Sequence, residues 1–382
     1  MDNVSILQNK ISTYEGITFD DLLLLPRYAD FKRHEVSLTT KLHDRIVLKL
    51  PIIASPMDTV CEVDMALAMA RAGGLGIIHR NLSIDTQKKM IEKVKSFTVF
   101  NSQESAVDAN GRLLVGGAIG VGADSHERID AIHDAGADIV VIDSGHGHSR
   151  PVIDTISYIK KKYPLFPLMA GNIATIEGAK ALIDAGCDML RVGMGPGSIC
   201  TTRIVTGMGV PQITAITNAV EAVQGSKVTV VADGGIRQIG DMAKALACGA
   251  HAVMLGSLLA GLDESPGDMM IVKDKKYKHY RGMGSVEAMK KGGAERYGQL
   301  PSDEKKDMIA EGIDGLVTYR GSASEYLRQI AGSLRSSLYY VGSKTLAEFI
   351  THARFIKISR AGFLESHPHS IMVRDAGKNY TV

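Results

Sequence analysis

The sequence contains no tryptophan, and aromatic residues make up only 5% of it. Successive bases of a single strand need aromatic platforms to stack on, so a single-strand nucleic-acid binder is not expected. Charge of either sign is not in excess: 44 Lys and Arg against 42 Asp and Glu leave a formal net charge of +2. Such a surface gives a polyanion no electrostatic reason to bind, and nucleic acid is not expected as a partner. Cysteine is scarce. The four thiols, at 61, 187, 200 and 248, have no metal-ligand spacing and do not suggest a disulfide framework. That usage suits a reduced, cytoplasmic chain. No apolar run reaches the length of a membrane span, and residues 1–10 carry no signal-like apolar region, so no membrane is expected either.

Glycine, in contrast, is abundant, 40 of 382 residues, and much of it sits where apolar runs end. Strand-like runs fall at 50–55, 74–79, 113–120, 139–145, 168–172, 189–192, 228–235 and 252–257. Helical patterns lie between them, at 61–72, 84–95, 127–135, 151–161, 176–185, 215–223 and 239–247, with a helical continuation after the eighth run. Continuous apolar strands alternating with amphipathic helices imply a parallel sheet, and eight repeats imply a closed (β/α)8 TIM barrel. A doubly wound open sheet is the alternative, but it requires a topological switch point that the pattern does not supply. The polar residues Ser55, His79, Asp143, Asn172, Gly193, Asp233 and Ser257 fall at the C-terminal ends of the strands, the face on which such barrels do chemistry.

One catalytic domain over 1–382 is expected. Residues 96–112, polar and aperiodic, read as a surface link. The stretch 273–306, rich in Lys, Gly and Met, reads as an unstructured excursion after the eighth strand, a lid-like flap spanning 273–320. Residues 354–382 form a tail that wanders or docks on a neighbour.

The chain is organised around 191–203, Arg-Val-Gly-Met-Gly-Pro-Gly-Ser-Ile-Cys-Thr-Thr-Arg. A strand empties into a glycine-rich loop that carries one thiol, Cys200, and the hydroxyls of Ser198, Thr201 and Thr202. Either Cys200 is a nucleophile held over a substrate, or it is a small hydrophobe in a loop. The other thiols stand beside helices, where packing explains them. Asp233-Gly-Gly-Ile236 and Leu255-Gly-Ser257 end the seventh and eighth strands, where barrels commonly bind phosphate. Ser198, Gly282 and Gly284 could add to that cradle. Asp143 and Asp233 are either structural turn caps or partners for ribose hydroxyls. His146 and His148 lack a third metal ligand.

These residues resemble a known family. The loop from Gly193 to Gln212 is similar to the active-site loop of inosine 5′-monophosphate (IMP) dehydrogenases. The resemblance extends in family order to Ala54-Ser-Pro-Met-Asp-Thr-Val60, Val141-Ile-Asp-Ser-Gly-His-Gly-His-Ser149, Ala232-Asp-Gly-Gly-Ile-Arg237, Tyr280-Arg-Gly-Met-Gly-Ser285, Glu311-Gly-Ile-Asp-Gly315 and Glu365-Ser-His-Pro-His369. It covers nearly the whole chain and the wider family includes GMP reductase.

The resemblance implies NAD-dependent oxidation of IMP to XMP through a covalent adduct on Cys200, hydrolysed after a flap replaces the departed NADH. It implies catalytic roles for Cys200, Thr202, Arg296, Tyr297 and Glu311. IMP would be held by Ser55, Met57, Ser198, Asp233, Gly235, Gly256, Ser257, Tyr280, Gly282, Met283, Gly284 and Glu311, and NAD by Asp143, Ser144, Asn172, Arg191 and Gly193. A K+ site would use the carbonyls of Gly195, Gly197 and Cys200 with Glu365, Ser366 and His367 of a neighbouring subunit, in a homotetramer. Arginine is an unusual base, since neutralising it at pH 7 costs roughly 7 kcal/mol; a Thr202–Glu311 relay is the other route for the proton. The Arg296-Tyr297 pair weighs against GMP reductase, which releases ammonia and hydrolyses no adduct. A non-catalytic purine-nucleotide binder is the remaining alternative. The chain departs from the family in two places. Gly298 stands where bacterial relatives usually carry an aromatic residue. Residues 96–112 occupy the place of an inserted pair of cystathionine-β-synthase-type modules, so nucleotide control through such modules is not expected.

Overall fold

In the computed structural model, residues 10, 11, 14–99, 101, 103–290, 294–297 and 308–374 are described. The chain begins with β1 (Leu22–Leu24), β2 (Thr40–His43) and β3 (Ile46–Leu48). The repeat then runs β4 (Ile52–Ala54), α1 (Val63–Arg71), β5 (Leu75–Ile78), α2 (Ile84–Ser96), β6 (Val115–Ile119), α3 (Ser125–Asp134), β7 (Ile139–Asp143), α4 (Arg150–Lys162) and β8 (Leu168–Ile173). It continues with α5 (Ile176–Asp184), β9 (Met189–Val192), a short α6 (Thr202–Val205), α7 (Gln212–Ala222), β10 (Thr229–Asp233), α8 (Ile239–Ala247) and β11 (Ala252–Leu255). After α9 (Ser257–Ala260) come β12 (Met269–Val272), β13 (Lys275–Arg281) and β14 (Asp314–Thr318), then α10 (Ala323–Tyr340), α11 (Leu346–His352), β15 (Phe355–Lys357) and α12 (Arg360–Glu365).

Strands β4 to β11 close into a barrel, each parallel to the next, with β10 joining β9 to β11. Strand alternation splits the core in two. Ile53, Ile77, Ile139, Val141, Met169, Met189, Val231 and Met254 fill the interior. Ile52, Ile78, Val115, Val140, Leu168, Leu190, Val230 and Val253 belong to the outer core, which the helices share. Because both faces are covered, the strands read as unbroken apolar runs. Helices start where a hydroxyl caps them: Ser83 accepts from the Thr86 N–H, Thr175 from Gly178 and Ser322 from Glu325.

The eight-fold repeat matches the expected barrel, with β9 and α8 at their expected bounds. Four parts differ from the sequence expectation. The hairpin β2–β3 was not anticipated. Its Leu42, Ile46 and Leu48 join the interior cluster, so it plugs the N-terminal mouth. Thr40 Oγ donates to the His251 carbonyl (2.8 Å) and Thr229 Oγ to that of Leu42 (2.9 Å), fastening the plug. The link 96–112 is not confined to the surface. Ala106 is 1% exposed and belongs to the same interior cluster, bonded through its N–H to the Ala70 carbonyl. The excursion after the eighth strand is not structureless: β12, β13 and β14 form a three-stranded antiparallel sheet that starts before residue 273. The Lys278 ammonium, buried and bonded to the carbonyls of Leu262, Asp263 and Ser265, anchors its base. Nor does the start of the tail wander. β15 pairs antiparallel with β1, tying the two ends of the described chain together.

Candidate active site

The C-terminal ends of the barrel strands surround an open cavity. Cys200 stands in its wall. The loop that carries it is pinned by the returning end of the flap. Thr201 N–H donates to the Glu311 carbonyl (3.0 Å), Ile313 N–H to that of Ile199 (2.9 Å), and Cys200 faces Gly312 across an isolated bridge. The Cys200 thiol donates to Thr202 Oγ (3.2 Å), whose hydroxyl donates to Glu311 Oε2 (2.7 Å). A thiol, a hydroxyl and a carboxylate thus form one chain able to pass a proton. Cys200 is half-buried, whereas burial pushes the thiols of Cys187 and Cys248 up to about 12 and Cys61 higher still. The sequence's choice among the four thiols therefore coincides with the cavity.

Opposite the thiol, Gly234 and Gly235, both at positive φ (86° and 75°), turn the chain out of β10 against Pro196. Gly256 and Ser257 follow β11. The Ser198 hydroxyl donates to that of Ser257 (3.2 Å), bringing two loops distant in sequence to one spot. Tyr280, 4% exposed, directs its hydroxyl toward Met57 Sδ (3.9 Å), and burial drives its phenol above the usual range. Arg281 is ion-paired with Asp58 and holds that tyrosine's segment against the loop after β4.

The third wall is charged. Arg191, 2% exposed, is ion-paired with Asp143 and, through Nε, with Asp233 Oδ2 (2.8 Å). Asn172 Nδ2 reaches the same Asp233 oxygen (2.8 Å) and the Gly193 carbonyl (2.9 Å). From the flap, the Arg296 guanidinium enters this wall and pairs with Asp143. Burial would raise the Asp143 carboxyl, but the guanidiniums of Arg296, Arg191 and Arg80 outweigh it and hold the group below the usual carboxylate range. Burial would likewise favour a neutral Arg296. The Asp143 carboxylate overrides it, and Arg296 lies above its ordinary value.

Of the residues expected at the site, Ser55, Met57, Asn172, Arg191, Gly193, Gly195, Gly197, Ser198, Cys200, Thr202, Asp233, Gly235, Gly256, Ser257, Tyr280, Gly282, Met283, Arg296, Tyr297 and Glu311 line the one cavity. Gly284 touches it through Tyr297, whose ring a Cβ at Gly284 would strike. Asp143 lies underneath, 1% exposed, and Ser144 is 8% exposed. Ser366 and His367 are not at the cavity. They line a separate cleft with Asp20 and Arg237, and Glu365 ends the adjacent α12, so one subunit alone does not unite the expected cation ligands. Gly298 lies outside the described residues. Sequence reasoning missed Gln212, which is 1% exposed and donates to the carbonyls of Val192 (2.9 Å) and Asp233 (3.0 Å), tying β9 to β10 beneath the thiol loop. It also missed Gly145. Both stood inside motifs already singled out.

A family model described as the IMP dehydrogenase / GMP reductase domain matches residues 16–369. The chain belongs to the IMP dehydrogenase/GMP reductase family. Among proteins of this family, one from Borreliella burgdorferi, named inosine-5′-monophosphate dehydrogenase, is 44% identical over 401 positions, covering 96% of this chain and 99% of its own. Proteins of the same name from Streptococcus pyogenes and Halalkalibacterium halodurans are 38% and 36% identical over 482 and 480 positions, covering 96% of this chain and 98% of their own. The chain has 382 residues against 482 aligned positions with the streptococcal protein, consistent with a form without the inserted module.

Proposed function

We infer that this chain is an NAD-dependent oxidoreductase that converts IMP to XMP, a step of guanine nucleotide synthesis. The observation that carries the reading beyond family membership is the docked Arg296-Tyr297 pair. An enzyme that released ammonia from GMP would have no adduct to hydrolyse and no need to seal the wall beside its thiol. Two orphaned acceptors in that wall, Asp143 Oδ2 and Asn172 Oδ1, are buried without a partner among the described residues, which suits a site that receives polar ligand groups.

In this reading the phosphate of IMP rests against Ser198, Gly235, Gly256, Ser257 and Tyr280, its ribose against Asp233, and its base between Met57, Gly282, Met283 and Gly284. The Cys200 thiolate bonds to C2 of the purine. NAD+, held beside Asp143, Ser144, Asn172, Arg191 and Gly193, would accept the hydride that C2 loses, leaving an oxidised purine joined to sulfur. Once the wall is free, Arg296 and Tyr297 close over it. Water adds to C2, the C2–S bond breaks, and XMP leaves with Cys200 restored. With Arg296 held protonated by Asp143, the acceptor for the water's proton is Glu311 through Thr202, which lies 2.7 Å from it. The open carbonyls of a glycine-rich turn suit a hard monovalent cation. K+ held by Gly195, Gly197 and Cys200 with Glu365, Ser366 and His367 of the next subunit would fix the thiol loop within a tetramer.

The decisive experiment follows NADH absorbance with IMP and NAD+, with and without K+. NADH formation that K+ stimulates and Cys200→Ala abolishes is expected. NADPH oxidation with GMP, and none of the former, would assign the reductase activity instead. Purine-nucleotide binding with neither reaction would leave only a binding protein.

A further inference from the structure

The thiol loop leaves β9 after Val192 and regains long-lived regular structure only at α7. Its one turn of helix, α6, has four residues, too few to hold together alone. Residues 204–209 are all exposed, so burial within this subunit does not hold them either. One side chain ties the two legs of the loop together. Arg203 Nε donates to the Met194 carbonyl on the outgoing leg (3.2 Å), and Nη2 donates to the Val210 carbonyl on the returning leg (2.6 Å). The shaft of the arginine passes between two glycines. A Cβ at Gly195 would lie 2.6 Å from Arg203 Cγ, and one at Gly209 would lie 2.6, 2.7 and 2.9 Å from its Nε, Cγ and Cδ. These separations are far inside carbon–carbon contact, so a side chain at Gly209 and Arg203 in its present place exclude each other. Arg203 also follows directly on Thr202, whose hydroxyl joins Cys200 to Glu311. The Val205 and Thr206 N–H groups donate to the carbonyls of Thr201 (2.9 Å) and Thr202 (2.8 Å), so the arginine, the thiol and the proton route belong to one short turn.

We propose that Arg203 is a positioning residue: its guanidinium staples the two legs of the thiol loop through the Met194 and Val210 carbonyls and thereby aims Cys200 and Thr202 at the substrate. This rests on the function inferred above. The staple needs a rigid fork with separate donors. A lysine ammonium is a point charge on a flexible stem and does not hold two carbonyls on opposite legs in fixed geometry. Gly209 belongs to the same device, because its bare backbone gives the arginine room to cross.

The test is Arg203→Ala in the full chain, with rapid-mixing measurement of the first NADH burst and of steady turnover. Both are expected to fall about a hundredfold, because a nucleophile misplaced by about 1 Å slows the first chemical step as well as the last. The KM for IMP is expected to change less than the rate, since the phosphate and ribose are gripped largely from β10 and β11. An unchanged burst, or a KM that rises as much as the rate falls, would overturn the proposal. Arg203→Lys, which keeps the charge and loses the fork, should recover little, and full recovery would overturn the two-point staple. Gly209→Ala is expected to slow the same two phases, and it carries the test alone if Arg203→Ala does not fold. In the Arg203→Ala background Gly209→Ala should add little; independent slowing would count against the device. Hydrogen exchange reads the staple without any reaction. The Val205 and Thr206 amides are expected to exchange about tenfold faster in Arg203→Ala, and equal exchange would refute the staple. An unaltered chain that makes no NADH would instead defeat the functional reading, while the exchange result would still stand or fall alone.

Discussion

The Arg296 guanidinium, carried by the flap, and the Asp143 carboxylate, at the end of β7, form an ion pair that is 12% and 1% exposed. Asp143 shares its charge with Arg191, which belongs to the barrel itself. Removing Arg296 therefore leaves Asp143 still paired, whereas removing Asp143 takes the ion-pair partner from the buried Arg296 and leaves Arg191 to Asp233 alone. Arg296→Ala is expected to fold normally, because Asp143 keeps Arg191, and to lose about a hundredfold or more in steady turnover, the cost of a closing element misplaced by about 1 Å. The first burst of NADH should survive, and rapid mixing distinguishes the two phases. A lost burst would show that Arg296 serves hydride transfer as well.

Thr202 lies between Cys200 and Glu311, within hydrogen-bond reach of both. Thr202→Val keeps the shape and removes the hydroxyl through which a proton would pass. Steady turnover is expected to fall about a hundredfold, the usual worth of a positioned proton acceptor, with the NADH burst again retained. Glu311→Gln should behave alike, and the double variant should be little worse than either single one. Additive losses would mean that the two residues act separately.

Much of this site was legible in the sequence because its ligating groups follow strand ends. Once eight apolar runs are counted, Asp143, Asn172, Gly193, Asp233 and Ser257 must share a rim, and the thiol loop after β9 must face them. What was not legible depends on contacts between elements that carry no periodic signal. The hairpin β2–β3 is too short for its alternation to stand out, and its role as a plug follows from barrel geometry. Ala106 looked like part of a polar link because one buried alanine among hydrophilic neighbours has no pattern. Gln212 and Gly145 act through main-chain bonds, which no side-chain motif announces.

The link 96–112 also carries a pH-sensitive contact. Burial pushes the Asp108 carboxyl up, but the Lys95 ammonium (2.8 Å) and the N–H groups of Arg112 and Asn110 outweigh it and bring it down to about 2. An unfolded Asp titrates near 3.9. A carboxyl depressed on folding adds stability above its unfolded value and loses it as pH falls through its folded one. The stability gap between the unaltered chain and Asp108→Asn should therefore be widest at neutral pH and shrink between about pH 4 and pH 2. Thermal midpoints of both proteins across that range check it. A gap that stays constant would mean that the side chain matters for shape alone.

The plug offers a test of whether the two mouths of the barrel are independent. Leu42 is 1% exposed and packs in the interior cluster with Ile46, Leu48 and the inward residues of the strands. The hairpin bears on the N-terminal ends of β10 and β11, through Thr229 and His251, whereas Cys200 and its partners lie beyond the C-terminal ends. Leu42→Ala removes buried methyl groups where the surrounding strands are closed into a ring and cannot collapse inward. A destabilisation of about 2–5 kcal/mol is expected, toward the upper end because the cavity persists. The midpoint of urea unfolding measures it. Turnover well below that midpoint should be unchanged, because nothing in the plug touches the thiol loop or the flap. If turnover fell while the protein remained folded, the strands would have to transmit the loss of packing from one mouth to the other, and the barrel could no longer be treated as a rigid frame for its loops.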